Sequence, residues 1–254
     1  MERYGWTLIT GATRGLGEEM AELAIERGRK VLLTAQSETE LHALAERLRA
    51  KGGIVDTIPA DFTDPDSVQN LWNEAITDRQ ISFLINSASV DAIGELSDGN
   101  WTAEITAIDY NINALTLLCK LASKHMKTHR TGRILNVASV AAYIPGPGRA
   151  VFHATKAYVL SLSNSLHEEL QPFGITVTAF CPDTRQSDIF SVADAAQSAK
   201  RSGLPSLRQV AERGYFAAMR GRPLAVQGFG NIAMVALSGV LPGNLLTKLA
   251  GITR

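Results

Sequence analysis

The stretch that most constrains this chain is Thr7-Leu8-Ile9-Thr10-Gly11-Ala12-Thr13-Arg14-Gly15-Leu16-Gly17. An apolar strand runs into a turn holding three glycines, and a helix leaves from the last of them. Gly11 lets the chain turn with positive φ, a conformation glycine adopts without steric cost. At Gly15 the missing side chain lets a pyrophosphate approach the backbone, and at Gly17 it lets the new helix pack tightly on the sheet. The first turn of that helix then offers unpaired N–H groups and a positive dipole end to an anion. The spacing is Gly-x3-Gly-x-Gly, not the commoner Gly-x-Gly-x-x-Gly. Taken alone, it suits either a phosphate cradle or a ligand-free strand-to-helix turn.

The strand-then-helix unit repeats along the chain. Met20, Leu23 and Ala24 keep helical spacing up to Gly28, and Lys30 to Thr34 reads as a second buried strand. A helix is predicted from Glu38 to Lys51, closed by Gly52-Gly53, and a third strand from Ile54 to Pro59. Asp61 to Asp64 is a turn, and Asp64-Pro65-Asp66 suits a helix start. Further strands are predicted at Ile81–Asn86, Gly132–Ala138, Ile175–Phe180 and Pro223–Gln227. Long helices are predicted at Asn100–Thr128 and Val151–Gln171, with another at Leu207–Met219. Continuously apolar strands alternating with helices imply a parallel sheet covered on both faces. The fold class expected is α/β: one Rossmann-like, doubly wound domain over residues 1–254, with about seven strands. Residues 183–222 form the expected substrate loop, within which Asp183 to Pro205 is polar and aperiodic and reads as a lid. Residues 228–254 read as a helical tail, in pieces Phe229–Leu241 and Asn244–Ala250.

Composition narrows the function classes. Lys plus Arg and Asp plus Glu both number 25, so no net field draws the chain to nucleic acid or an anionic membrane. No run reaches the roughly 18 apolar residues of a membrane span. Cys119 and Cys181 are the only cysteines and lack metal-ligand spacing, so no metal is expected and a reducing cytoplasm fits. The start of the chain has no apolar signal region.

Four later residues fall in register with the glycine turn: Asn111 in Ile108-Asp109-Tyr110-Asn111, Ser139 in Asn136-Val137-Ala138-Ser139, and Phe152 and Lys156 in Phe152-His153-Ala154-Thr155-Lys156. With these, the chain resembles the short-chain dehydrogenase/reductase family over roughly residues 5 to 227. The resemblance implies catalytic roles for Asn111, Ser139 and Lys156. Serine holds the substrate oxygen, lysine grips the nicotinamide ribose, and asparagine supports a water relay. It implies a cofactor wall of Gly11, Thr13, Arg14, Gly15, Leu16, Gly17, Asp61, Asn86, Ala88, Lys156, Pro182 and Ser187. Asp61 would accept from the adenine amino group, and Asn86 and Ala88 would run along the adenosine. The family pairs as homodimers or homotetramers through helices corresponding to Asn100–Thr128 and Val151–Gln171.

The departure is at Phe152, where the family has the tyrosine of Tyr-x3-Lys. A phenol near pKa 10 that moves a proton is replaced by a ring with no ionisable group. A positioned acid or base is worth about 10²–10⁴-fold, so ordinary carbonyl chemistry slows. His153 and Tyr158 point off that helix face. Lys156 could itself give a proton if its pKa fell. Asn-Asn-Ala-Gly appears here as Asn86-Ser87-Ala88-Ser89, and Pro-Gly as Pro182-Asp183, an exchange expected to alter the loop over the nicotinamide.

No acid ends the second strand, which reads Thr34-Ala35-Gln36-Ser37, and Arg14 can pair with a 2′-phosphate, so NADP is favoured over NAD. The expectation is an NADP-dependent oxidoreductase moving hydride between nicotinamide and a carbonyl, alcohol or related C=X group. Phe152 is then a natural divergence or an engineered knock-out. Two other readings stand beside it: imine or enone reduction, and a non-redox nucleotide-binding, lyase or isomerase protein on the same scaffold.

Overall fold

The computed structural model describes residues 5–183, 205–228, 230–232 and 235. Seven parallel strands form one sheet: β1 (Trp6–Thr10), β2 (Val31–Thr34), β3 (Val55–Thr57), β4 (Ile81–Asn86), β5 (Gly132–Val137), β6 (Ile175–Cys181) and β7 (Leu224–Val226), in the order β3-β2-β1-β4-β5-β6-β7. The Rossmann-like doubly wound sheet is therefore present. Its strand order reverses between β1 and β4, which opens a crevice at the carboxyl edge.

Alternate side chains of each strand feed two cores. Leu8, Leu32, Leu84, Ile134 and Val177 face α3 (Pro65–Ala75), α5 (Leu115–His129) and α6 (Ala150–Leu170). Ile9, Leu33, Ile85, Leu135 and Phe180 face α1 (Gly15–Glu26), α2 (Glu38–Ala50) and α7 (Leu207–Met219). Every one of these strand residues is fully buried, as a sheet covered on both faces requires. The helices start where short polar side chains satisfy free N–H groups. Ser37 caps α2, Asp64 caps α3 ahead of Pro65, and Asn100 caps α4 (Trp101–Ile108). At α1 no side chain caps the amides.

Two predicted elements differ. The helix expected from Asn100 to Thr128 is α4, then a six-residue π-helical turn at Asp109–Ala114, then α5. The wider turn buries Asn111, whose Nδ2 donates to the Val90 carbonyl at 2.8 Å and to Thr155 Oγ1 at 3.1 Å. Those bonds compensate the looser backbone. The third strand is shorter than expected, Val55–Thr57, although the Ile58 and Ala60 amides still donate to the Leu33 and Ala35 carbonyls at 3.0 and 3.1 Å. Residues 184–204 of the expected lid, Ser187 among them, lie outside the described residues, as does the expected helical tail apart from 228, 230–232 and 235. Among the described residues, no helix is long and apolar enough to cross a membrane.

Candidate active site

The crevice at the switch point is a cleft of about 570 Å³. The pairings of Thr10 with Thr34 and Asn86, and of Asn86 with Asn136, align the carboxyl ends of four adjacent strands beneath it. The Thr10 hydroxyl accepts from the Ser87 and Ala88 amides at 3.1 and 3.0 Å, fixing the β1 and β4 loops to each other.

At one end lies the glycine turn. Gly11 has φ 62°, and a Cβ there would come within 2.7 Å of Ala88 Cα, so both conformation and closeness demand glycine. Gly15 has φ 59° and nothing within 4 Å of a Cβ, which leaves room for a ligand to lie against the backbone. Gly17 is off the wall; a Cβ there would overlap the Gly11 carbonyl, so it closes helix onto turn. Gly11, Thr13, Arg14, Gly15 and Leu16 line the cleft.

The neighbouring wall is Ala35, Gln36, Ser37, Glu40, Phe62, Ala88 and Tyr110. Tyr110 sits edge-on to Phe62 at 5.5 Å, making an apolar slot. Arg14, predicted to meet a 2′-phosphate, here pairs with Glu40 at 3.1 Å. Sequence reading missed Glu40, because it stands on α2, beyond the strand end where an acid is looked for. Asp61 is off the wall, with Oδ1 accepting from the Thr63 amide and hydroxyl at 2.9 and 2.8 Å. Asn86 also turns inward: its amide donates to Asn136 Oδ1 at 2.8 Å, while Ser87, Ala88 and Ser89 take its place on the wall. The physical reason is strand alternation, which sends the Asn86 side chain toward buried Cys119.

The far end holds Phe152, Lys156, Val137, Ala138, Pro182, Val90 and Asp91. Lys156 is buried, with Nζ donating to the Val137 carbonyl at 3.1 Å and standing 5.5 Å from the Phe152 ring centre. Burial brings its pKa down to about 8, against the opposing pull of Cys181 and Asp91. Burial pushes the Cys181 thiol up to about 12. Ser139 is fully buried, its hydroxyl accepting from the Ala141 amide at 3.1 Å as cap of a short 3₁₀ turn. Asn111 holds Val90 by both amide and carbonyl, so it sets the loop that carries Asp91. Lys156 and Phe152 thus reach the cleft, while Ser139 and Asn111 are joined to its backbone frame.

His153 is turned away, with Nδ1 at 2.6 Å from the Ile144 carbonyl, and Tyr158 hydrogen-bonds Thr116 at 2.9 Å. Asp183 has no positive φ, so the aspartate in place of glycine imposes no left-handed strain, and Oδ2 accepts from Asn231 at 3.0 Å. Sequence reading also missed Asp91 and Arg149, which form an ion pair beside Phe152, because neither belongs to a motif.

Comparison with known proteins places this arrangement. Residues 5–198 match the model of the family described as short chain dehydrogenase. A 3-oxoacyl-[acyl-carrier-protein] reductase of Synechocystis sp. is 32% identical over 187 residues, covering 72% of this chain and 74% of the relative. The corresponding reductase FabG of Escherichia coli is 30% identical over 186 residues, with 72% and 74% covered. Among solved structures, a short-chain dehydrogenase from Sphingobium yanoikuyae in complex with NADPH superposes with a TM-score of 0.77 at 28% identity, covering 94% of this chain and 97% of that one. A bulky-bulky ketone specific alcohol dehydrogenase from Comamonas testosteroni gives 0.78 at 26% identity, covering 94% and 95%.

Proposed function

This chain belongs to the short-chain dehydrogenase family, and on that premise we propose that it binds NADP(H) in the switch-point cleft and interconverts a carbonyl or related C=X group with its reduced form. One observation carries the reading: Lys156 and Phe152 share a single cleft with an uncapped, glycine-built helix start. The open space over Gly15 fits a pyrophosphate, which the first amides of α1 would bind. The slot of Phe62, Tyr110 and Ala88 suits an adenosine, with Asp61 beside it and Asn86 bracing the loop from inside. Arg14, with Ser37 opposite, suits a 2′-phosphate once released from Glu40, and NADP is preferred to NAD on this account. Lys156 and Pro182 would flank the nicotinamide ribose and amide. When bound, the nicotinamide supplies or takes up a hydride.

Around it, this chain supplies orientation and dryness. Phe152 and Val90 exclude water, Ser139 sets the backbone under the reacting group, and Asn111 fixes the opposing loop. Without a phenol at residue 152, reduction of a simple ketone is slow. The assay is NADPH consumption with acetophenone by this chain and by Phe152→Tyr. The variant is expected to be about 10²–10⁴-fold faster. No gain with acetophenone or 2-octanone would refute the reading of residue 152.

Pairing into homodimers or homotetramers belongs to the same proposal. It is supported by Trp101 and Tyr158, both exposed on the helices that would pair. A cytoplasmic setting is supported by two cysteines that are free and buried.

A further inference from the structure

Beside Phe152 the cleft carries a charged device that the hydride-transfer reading does not use. Asp91 lies on the β4–α4 loop and Arg149 immediately before α6; their side chains form an ion pair through Asp91 Oδ2. The Arg149 guanidinium stands 5.3 Å from the Phe152 ring centre, and Lys156 Nζ stands 5.5 Å from it. The ring where a phenol is missing is thus flanked by the carboxylate's own partner. Asp91 lines the cleft, and its Oδ1 is buried with no hydrogen-bond partner among the described residues. A buried acceptor left unpaired is costly, and a bound donor removes that cost. The other carboxylate on the wall, Glu40, is at the Arg14 end.

Asp91 presents a carboxylate, and a carboxylate accepts protons rather than donating them. We propose that Asp91 is the group that receives the proton of the substrate's reacting hydroxyl, so that this cleft is built to dehydrogenate a secondary alcohol. The alcohol O–H bond breaks and its proton bonds to Asp91 Oδ1. The freed electron pair closes the C=O bond, and the carbinol C–H bond delivers its hydrogen with both electrons to oxidised NADP⁺. The alcohol becomes a ketone, NADP⁺ becomes NADPH, and Asp91 returns its proton to water. At pH 7 Lys156, with its pKa of about 8, is mostly an ammonium and has no lone pair to take that proton. The remaining wall, Val90, Ala138, Phe152 and Pro182, is apolar and suits a substrate whose body is apolar around one hydroxyl.

The inference rests on the nicotinamide reading, and the test separates the two. NADP⁺ affinity, 1-phenylethanol affinity in cofactor-free protein by ligand-observed NMR, and oxidation of 1-phenylethanol and 2-octanol are measured for the natural sequence, Asp91→Asn and Asp91→Asn/Phe152→Tyr. Asp91→Asn is expected to keep NADP⁺ affinity within about twofold, to weaken 1-phenylethanol binding by about tenfold, and to oxidise it at least about 100-fold more slowly. The double variant, with a phenol in place, is expected to regain oxidation. Should Asp91→Asn not fold, Asp91→Ser is read in its place. The proposal is overturned if the asparagine variant oxidises at the natural rate. It is equally overturned if the tyrosine brings no rescue, or if the NADP⁺-bound natural protein oxidises neither alcohol. Absence of NADP⁺ binding by the natural protein would instead sink the cofactor reading.

Discussion

Replacing Lys156 by methionine should stabilise the cofactor-free protein at pH 7 while abolishing its activity. Lys156 is buried, and its pKa falls from an ordinary 10.5 to about 8. That difference corresponds to about 3 kcal/mol by which the fold disfavours the ammonium relative to the unfolded chain. The sign follows from proton counting. Below pH 8 both states carry the proton and the full penalty stands. Between pH 8 and about 10.5 the unfolded chain binds more protons than the folded one, so stability rises with pH. Methionine fills a similar volume without charge, but gives up the 3.1 Å bond to the Val137 carbonyl, worth about 1 kcal/mol. The net gain at pH 7 is about 2 kcal/mol, or about 4–8 °C in Tm for a chain of this size. At pH 9.5 the natural lysine is largely neutral, and the advantage shrinks below about 1 kcal/mol. Urea and thermal unfolding of both proteins at the two pH values measure this. A variant no more stable than the natural protein at pH 7, or a difference that does not change with pH, would refute the reasoning about the buried ammonium.

The glycine turn separates stability from binding. Gly17→Ala should lose about 2–3 kcal/mol by overpacking against the Gly11 carbonyl. Gly15→Ala should lose only the ~1–2 kcal/mol of a left-handed alanine yet weaken NADPH strongly; melting and calorimetry distinguish them. Glu40→Gln should free Arg14 and tighten NADPH by about 3–10-fold with little change for NADH, read as the ratio of the two Kd values.

The sheet was legible because its strands are short, apolar runs set between helical spacings, and nothing in Leu8, Leu32, Leu84 or Ile134 offers a competing pattern. The π-helical turn at Asp109–Ala114 was not, since helical periodicity is blind to one extra residue that a tertiary bond at Asn111 supports. Phe152 and Lys156 were legible from their spacing, and both line the cleft. Asn86 was placed on the wall by the resemblance, but the pleat sends its amide into the interior. Glu40, Asp91 and Arg149 act through pairs 26 and 58 residues apart in sequence, and only the folded chain brings those partners together.

Titration of the protein with NADPH, followed by heat and by Tm, tests the central claim most directly. The account predicts one site per chain and protection of about 2.7 kcal/mol at a hundredfold excess over Kd, with NADH weaker and Gly15→Ala weaker still. A flat titration with an unchanged Tm would contradict it.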